Sequence, residues 1–333
     1  MTNSKSSTMA IFFAEMDYLE SFMNYISEKN TGFECCGFTK SDSLKEYAKE
    51  NHIAVLLTDS ICFEKGARHI NSEMTVVLTE RPDTDNPPGV YTVNILQPVD
   101  EILREILKTA ARLDITVAQS VLSSSLNIYS FFSPVGRCLK TSLAVAAAQL
   151  LSDRDRTIYI NLEPDSGFSV LFGREYDTDL SDLMFYLRDG SHDSASLMLQ
   201  SAVCDSQGIS YIPSVMNPGD LFQISCDELI RLFDLLQSNG YKNIVLDLGI
   251  LLPGFERLLA ISEKIFMPVL NDSISTAKTS QLFSYLRTLE DIRVEDRIRN
   301  LEPPFFKDLP GIAGNMRHTE IGRYMAGFLY GPG

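Results

Sequence analysis

Apolar residues fall along this chain in short runs separated by stretches of helical spacing, the pattern of buried parallel strands alternating with helices. In the first 112 residues the runs Met9–Phe13, Gly32–Gly37, Ile53–Leu57, Met74–Leu78 and Tyr91–Leu96 predict strands. Leu19, Phe22, Met23, Tyr25 and Ile26 recur at near-helical spacing within Tyr18–Glu28, and helices are also predicted over Ser43–Asn51 and Val99–Leu113. Arg81–Gly89, RPDTDNPPG, is a loop of turn residues.

The pattern restarts near residue 124. Ile128–Phe132 predicts a buried strand, Ser133–Leu139 a loop containing Pro134 and Gly136, and the alanine-rich run from Lys140 a helix. Strands follow at Thr157–Leu162, Ile209–Ile212, Asn243–Leu248 and Lys264–Val269. Helices are predicted over Asp179–Arg188, Ala195–Leu199, Cys226–Asn239 (ended by Gly240), Ser280–Leu289 and His318–Leu329. Asn271–Thr279 is a polar stretch before the Ser280 helix, and Leu301–Gly311 reads as a loop. Arg287, Arg293, Arg297 and Arg299 alternate with Glu290, Asp291, Glu295 and Asp296, which predicts a solvated helix face. The expected fold class is α/β with two three-layer domains, residues 1–112 and 124–333, joined by a linker over 113–123.

Composition narrows the function. The 333 residues are 44% hydrophobic and 22% charged, ordinary for a soluble protein. A formal charge of -15 argues against a broad nucleic-acid face. No apolar run approaches the roughly 18 residues of a membrane span, and the N-terminal apolar stretch is too short for a signal peptide. A cytoplasmic setting is expected, with the six cysteines as free thiols because none forms a CxxC pair. The four histidines are scattered and give no support to a histidine metal site or a Ser-His-Asp triad.

Candidate chemistry centres on Lys140-Thr141-Ser142 at the start of the alanine-rich helix. A helix N-terminus offers unpaired N–H groups and a positive dipole end to a phosphate; a lysine there can reach outer phosphates and a hydroxyl can ligate magnesium. The pattern GxxxxGK[ST] is incomplete, since Pro134 and Leu139 stand where glycines belong. Thr157–Leu162 delivers Asn161, Glu163 and Asp165 to a strand's carboxyl end, where ligands of open sheets bind; such residues can hold a metal-bound water or orient a nucleophile, or simply cap a turn. Asp247 stands among apolar neighbours in Asn243–Leu248, so its charge needs a partner or a metal.

Taken in order, these motifs carry two resemblances. The first half resembles a CheY-like response-regulator receiver, with Gln97-Pro98 where that family has Lys-Pro. Ala14 and Glu15 stand at its acidic pair, Thr58 or Asp59 at its phosphorylated aspartate, and Gln97 at its lysine, so the resemblance implies a degenerate receiver used for protein contacts. SPVGRCLKTS, YINLEPDSG, NIVLDLG and IFMPVLND resemble the deviant Walker A P-loop ATPases of the MinD and ParA group. On that loop Val135 replaces the signature lysine, Gly136 keeps the first glycine, Arg137 and Leu139 replace the others, and Lys140 and Thr141 are kept. The layout of both halves is similar to that of the TadZ and CpaE group of Tad (type IVb) pilus-assembly proteins. The resemblance implies ATP and Mg2+ as cofactors and Gly136, Arg137, Cys138, Leu139, Lys140, Thr141 and Ser142 as the nucleotide loop. It implies Thr141 and Asp247 at the metal and Asn161 and Glu163 at the positions of the catalytic aspartates. It further implies a homodimer acting with Tad pilus proteins at the cell pole or inner face of the membrane, with weak or absent hydrolysis. An interaction protein that has lost nucleotide binding and an active positioning ATPase are the alternatives.

Overall fold

The computed structural model describes residues 7–29, 31–82, 86–115, 125–249, 253–289, 294–307 and 309–331. Most of the expected linker, together with Glu290, Asp291 and Arg293, lies outside these residues. The chain divides into two compact units, Met1–Ser120 with Asp189–Ser201, and Val121–Arg188 with Ala202–Gly333. Asp189–Ser201 thus groups with the first unit although it lies within 124–333.

In the first unit the strands β1 (Ser7–Phe12), β2 (Phe33–Phe38), β3 (Val55–Asp59), β4 (Met74–Thr79) and β5 (Val90–Asn94) form one sheet in the order β2-β1-β3-β4-β5. Every pairing is parallel, which is a doubly wound order. Of the inner strands, β1 is buried along its whole length and β3 and β4 nearly so, as strands covered on both faces must be. Helices Met16–Glu28, Ser41–Glu50 and Val99–Arg112 are close to their expected positions. The helix Ser60–Lys65 was not expected; Asp59 caps it by accepting the Cys62 N–H at 2.7 Å. An acid at the end of β3 is therefore engaged in a helix cap. Gln97 donates to Glu105 at 3.0 Å, also a local contact.

The second unit is a seven-stranded sheet: β6 (Asn127–Phe131), β7 (Thr157–Leu162), β8 (Cys204–Ser206), β9 (Ile209–Ile212), β10 (Asn243–Leu248), β11 (Lys264–Pro268) and β12 (Ile298–Leu301), in the order β12-β11-β6-β10-β7-β9-β8. Only β8, paired with β9, runs antiparallel. β10 lies between β6 and β7, in a register that aligns Asp247 with Phe131 on one side and Asn161 on the other. Gly249 keeps the ends of β10 and β7 together. Its N–H donates to the Leu162 carbonyl at 3.0 Å, and a Cβ there would come within 2.6 Å of that oxygen.

The helix Lys140–Ser152 packs against the sheet and against the helix Glu320–Tyr330, and Ala144, Ala146, Ala147 and Ala148 are fully buried. Small side chains let its backbone sit close to both layers. The buried Gln149 fastens the chain before the last helix, accepting the Met316 N–H at 2.7 Å and donating to the Gly314 carbonyl at 2.9 Å.

Two expectations fail here. The helix Ser273–Leu286 begins seven residues before Ser280, because Asp272 caps it through the Ile274 and Ser275 N–H groups, each at 2.9 Å. The serines and threonines of the polar stretch lie inside it, and Thr276 returns its hydroxyl to the Asp272 carbonyl. In its described residues, the charged run is not a helix face. Helix Ser273–Leu286 stops before it, Glu295–Arg297 is one 3₁₀ turn, and Ile298–Leu301 is the edge strand β12. Charged residues suit such an edge because they oppose further strand addition.

The helix Cys226–Ser238 starts with a reciprocal capping box between Ser225 and Glu228, and Arg188 pairs with the same carboxylate. Burial alone would raise the Glu228 pKa, but the Arg188 guanidinium and the Ser225 hydroxyl and amide bring it from 4.5 to about 2. A depressed folded-state pKa gives stability that is complete above the unfolded value and lost as pH falls through the folded one. The expected result is that Glu228→Gln is less stable than wild type at pH 6, with the difference shrinking between pH 4.5 and 2. Urea midpoints across that range check it, and a constant difference down to pH 2 would refute the linkage.

Candidate functional site

The carboxyl ends of β6, β10 and β7 bring the candidate residues together. β6 runs into Ser133, which is buried and ties the loop to the sheet: its hydroxyl donates to the Pro268 carbonyl at 2.6 Å and accepts the Val135 N–H at 3.1 Å. Cys138 is buried, its thiol on the Val135 carbonyl at 3.1 Å. Arg137 and Leu139 have φ of 59° and 62°, the left-handed region that glycine favours. The backbone thus holds glycine-type conformations at two positions that lack glycine. Gly136 itself has no such φ; a Cβ there would meet nothing within 4 Å, so its surroundings are open.

Leu139 precedes the helix Lys140–Ser152 and supplies no side-chain cap. The first bond into this helix is Leu143 N–H to the Leu139 carbonyl, which leaves the amides of Lys140, Thr141 and Ser142 without an intrahelical acceptor. Thr141 and Ser142 are half-buried, while Gly136 and Arg137 are exposed.

The Lys140 side chain turns toward the sheet edge. It is 9% exposed, and its Nζ donates to Asp247 Oδ1 and, at 2.6 Å, to Glu163 Oε1. Burial lowers the Lys140 pKa, but Asp247 and then Glu163 more than offset it, so the ammonium titrates above the usual lysine value. Asp247 is fully buried, and its second oxygen accepts from the Tyr159 hydroxyl at 3.0 Å and Asn161 Nδ2 at 3.3 Å. Asn161 Nδ2 also reaches the Tyr159 hydroxyl at 3.1 Å, and its Oδ1 accepts the Glu163 N–H at 2.9 Å. Burial, and then the Asp247 charge, push the Tyr159 phenol well above its ordinary range, so it stays a donor.

Lys140, Asn161, Glu163 and Asp247 therefore form one network, with the loop 136–139 and Thr141 at its border. Two contributors were not anticipated: Tyr159, a member of the network, and Ser133, which anchors the loop beside it. Tyr159 carried a signal, because it lies two residues before Asn161 on the same strand face, and a tyrosine in a fully buried strand needs a partner for its hydroxyl. Ser133 carried none beyond its place in the loop. Among the described residues no group of three or more His, Cys, Asp or Glu side chains could hold a metal, and no helix is long and apolar enough to cross a membrane.

No protein-family model matches the chain, and no curated protein matches it. It is similar in structure to a ParA family ATPase from Chlorobium tepidum, at 17% identity over 53% of this chain and 73% of that one, with a TM-score of 0.45. A plasmid partition protein from Borrelia burgdorferi bound to AMPPNP matches at 14% identity over 62% of this chain and 97% of its own, TM-score 0.45. An ATP complex of a McdA variant from Cyanothece matches at 16% identity over 50% of this chain and 65% of its own, TM-score 0.40.

Proposed function

We propose that the second unit is a nucleotide-binding scaffold that takes ATP with Mg2+ and uses it to set an assembly rather than to drive turnover. One juxtaposition carries this reading. An uncapped helix N-terminus, a loop in glycine-type conformation and a buried lysine meet at the carboxyl edge of a parallel sheet, beside a strand-end aspartate. The residues fit a phosphate group: three amides have no intrahelical acceptor, the space over Gly136 is open, and Lys140 supplies charge. Mg2+ would neutralise phosphate charge, and the Thr141 hydroxyl and, through water, Asp247 are the residues that would hold it. Arg137, exposed on the loop, can meet phosphate in place of the lysine that Val135 replaces.

The wider reading is a TadZ- or CpaE-like protein of Tad pilus assembly, with a receiver-like first domain, positioned at the cell pole or inner membrane face. It acts as a homodimer through the second unit. In support, Val170, Met216, Ile274 and Phe305 are exposed on segments that follow β7, β9, β11 and β12, the same edge that carries Lys140. Large apolar side chains gathered on one edge suit a covered face.

Titration of the full chain with Mg-ATP is expected to show saturable binding, weakened about tenfold or more in Arg137→Glu, an exposed position where folding is spared. Absence of binding at millimolar Mg-ATP would leave the second reading, a pure interaction protein. That reading has an observation of its own: Lys140 already has two carboxylate partners.

A further inference from the structure

Lys140 holds two carboxylates that are not equivalent. Asp247 has no exposure, and its other oxygen is fixed by Tyr159 and Asn161. Glu163 lies just past the end of β7, its side chain is 32% exposed, and its carboxylate accepts from Lys140. Released from Lys140, Glu163 can be hydrated where it stands, whereas Asp247 cannot leave without stranding a charge in the core.

The charge count points the same way. Lys140 with Asp247 is neutral; adding Glu163 makes the cluster net negative at the place where a phosphate must approach. An ammonium has three donors, and Glu163 occupies one on the side nearer solvent. Among the ionisable side chains of the described residues, those facing Lys140 are Asp247 and Glu163.

We propose that Glu163 is an internal competitor for the phosphate site, holding the Lys140 ammonium until a phosphate displaces it. This rests on the nucleotide reading above and adds to it a gate built from this chain's own carboxylate. It also accounts for a lysine that is both engaged and poised: the contact that closes the site is the one that water can take over.

The test measures binding of Mg-ATP to the full-length chain, in wild type, Glu163→Gln and Asp165→Asn. Asp165 is exposed two residues further on, so its variant removes the same formal charge without touching Lys140. Removing a like charge a few ångströms from the phosphate is expected to tighten binding about tenfold or more in Glu163→Gln, with less than about a threefold change in Asp165→Asn. Wild type that binds with Glu163→Gln no tighter overturns the competitor and leaves the nucleotide reading standing. Equal gains in both variants overturn it too, since the effect would then be general charge. Binding in neither wild type nor Glu163→Gln overturns both.

Discussion

Lys140→Met is expected to cost the second unit about 3–5 kcal/mol, the usual penalty for stripping one partner from a buried ion pair. Asp247 would keep its burial and two neutral donors, Tyr159 and Asn161, but lose the cation beside it. Neutral hydrogen bonds do not replace a counter-charge in a site of low dielectric. The reverse change is milder. In Asp247→Asn the ammonium still has Glu163 and partial access to water, so a loss of about 1.5–3 kcal/mol is expected, the range for a hydrogen bond to a charged group. The double variant Lys140→Met/Asp247→Asn removes both charges, and its cost should fall well short of the sum of the two single losses. Urea unfolding followed by far-UV circular dichroism measures the three variants. Hydrogen exchange at the amides of β6 and β10 assigns the loss to the second unit. A Lys140→Met variant within about 1 kcal/mol of wild type would mean that the network is not a closed ion cluster.

The same network shows which parts of the site were legible in the chain. Lys140 could be read because a lysine and two hydroxyls before an alanine-rich run mark a helix start whatever the loop sequence. Asp247 could be read because an acid inside an apolar strand demands a partner. Which partner it takes was not written locally: Asp247 meets Tyr159 and Lys140 only through the order of β6, β10 and β7, residues about a hundred positions apart brought side by side by strand register. The glycine-type backbone at Arg137 and Leu139 was hidden for the opposite reason. Side chains that disfavour a positive φ stand there, so the sequence spoke against a conformation that the loop nevertheless keeps. Alternating strands and helices were readable because buried parallel strands are short apolar runs. The helix Ser273–Leu286 and strand β12 were misread because serine and threonine weigh against helix, and charged residues against strand, until a cap or an edge position changes the balance.

ATP bound to this protein is expected to remain intact for many minutes. Hydrolysis requires a water held in line with the transferring phosphoryl group and charge stabilisation as it transfers. Asn161, the residue at one expected catalytic position, has at most one lone pair of its buried oxygen left for that water. Its amide nitrogen is shared between Tyr159 and Asp247, its oxygen takes the Glu163 N–H, and it is buried. An amide is also a far weaker base than a carboxylate. Glu163 is a carboxylate, but its place on Lys140 makes it a counter-ion rather than a free base. Val135 brings no charge-stabilising group to the loop. Loss of one such charge-stabilising group commonly costs roughly 3–4 kcal/mol, about 100- to 1000-fold in rate. The positions need not contribute additively, because they surround one phosphate, yet each acts in the same direction. Binding asks less: amides at a helix start, an ammonium and an open loop suffice. The measurement is a single-turnover assay with the full chain in excess over labelled ATP, with product resolved over an hour. Turnover on the order of 1 per second or faster, typical of ordinary enzymes, would remove the scaffold reading and make Asn161 and Glu163 catalytic after all.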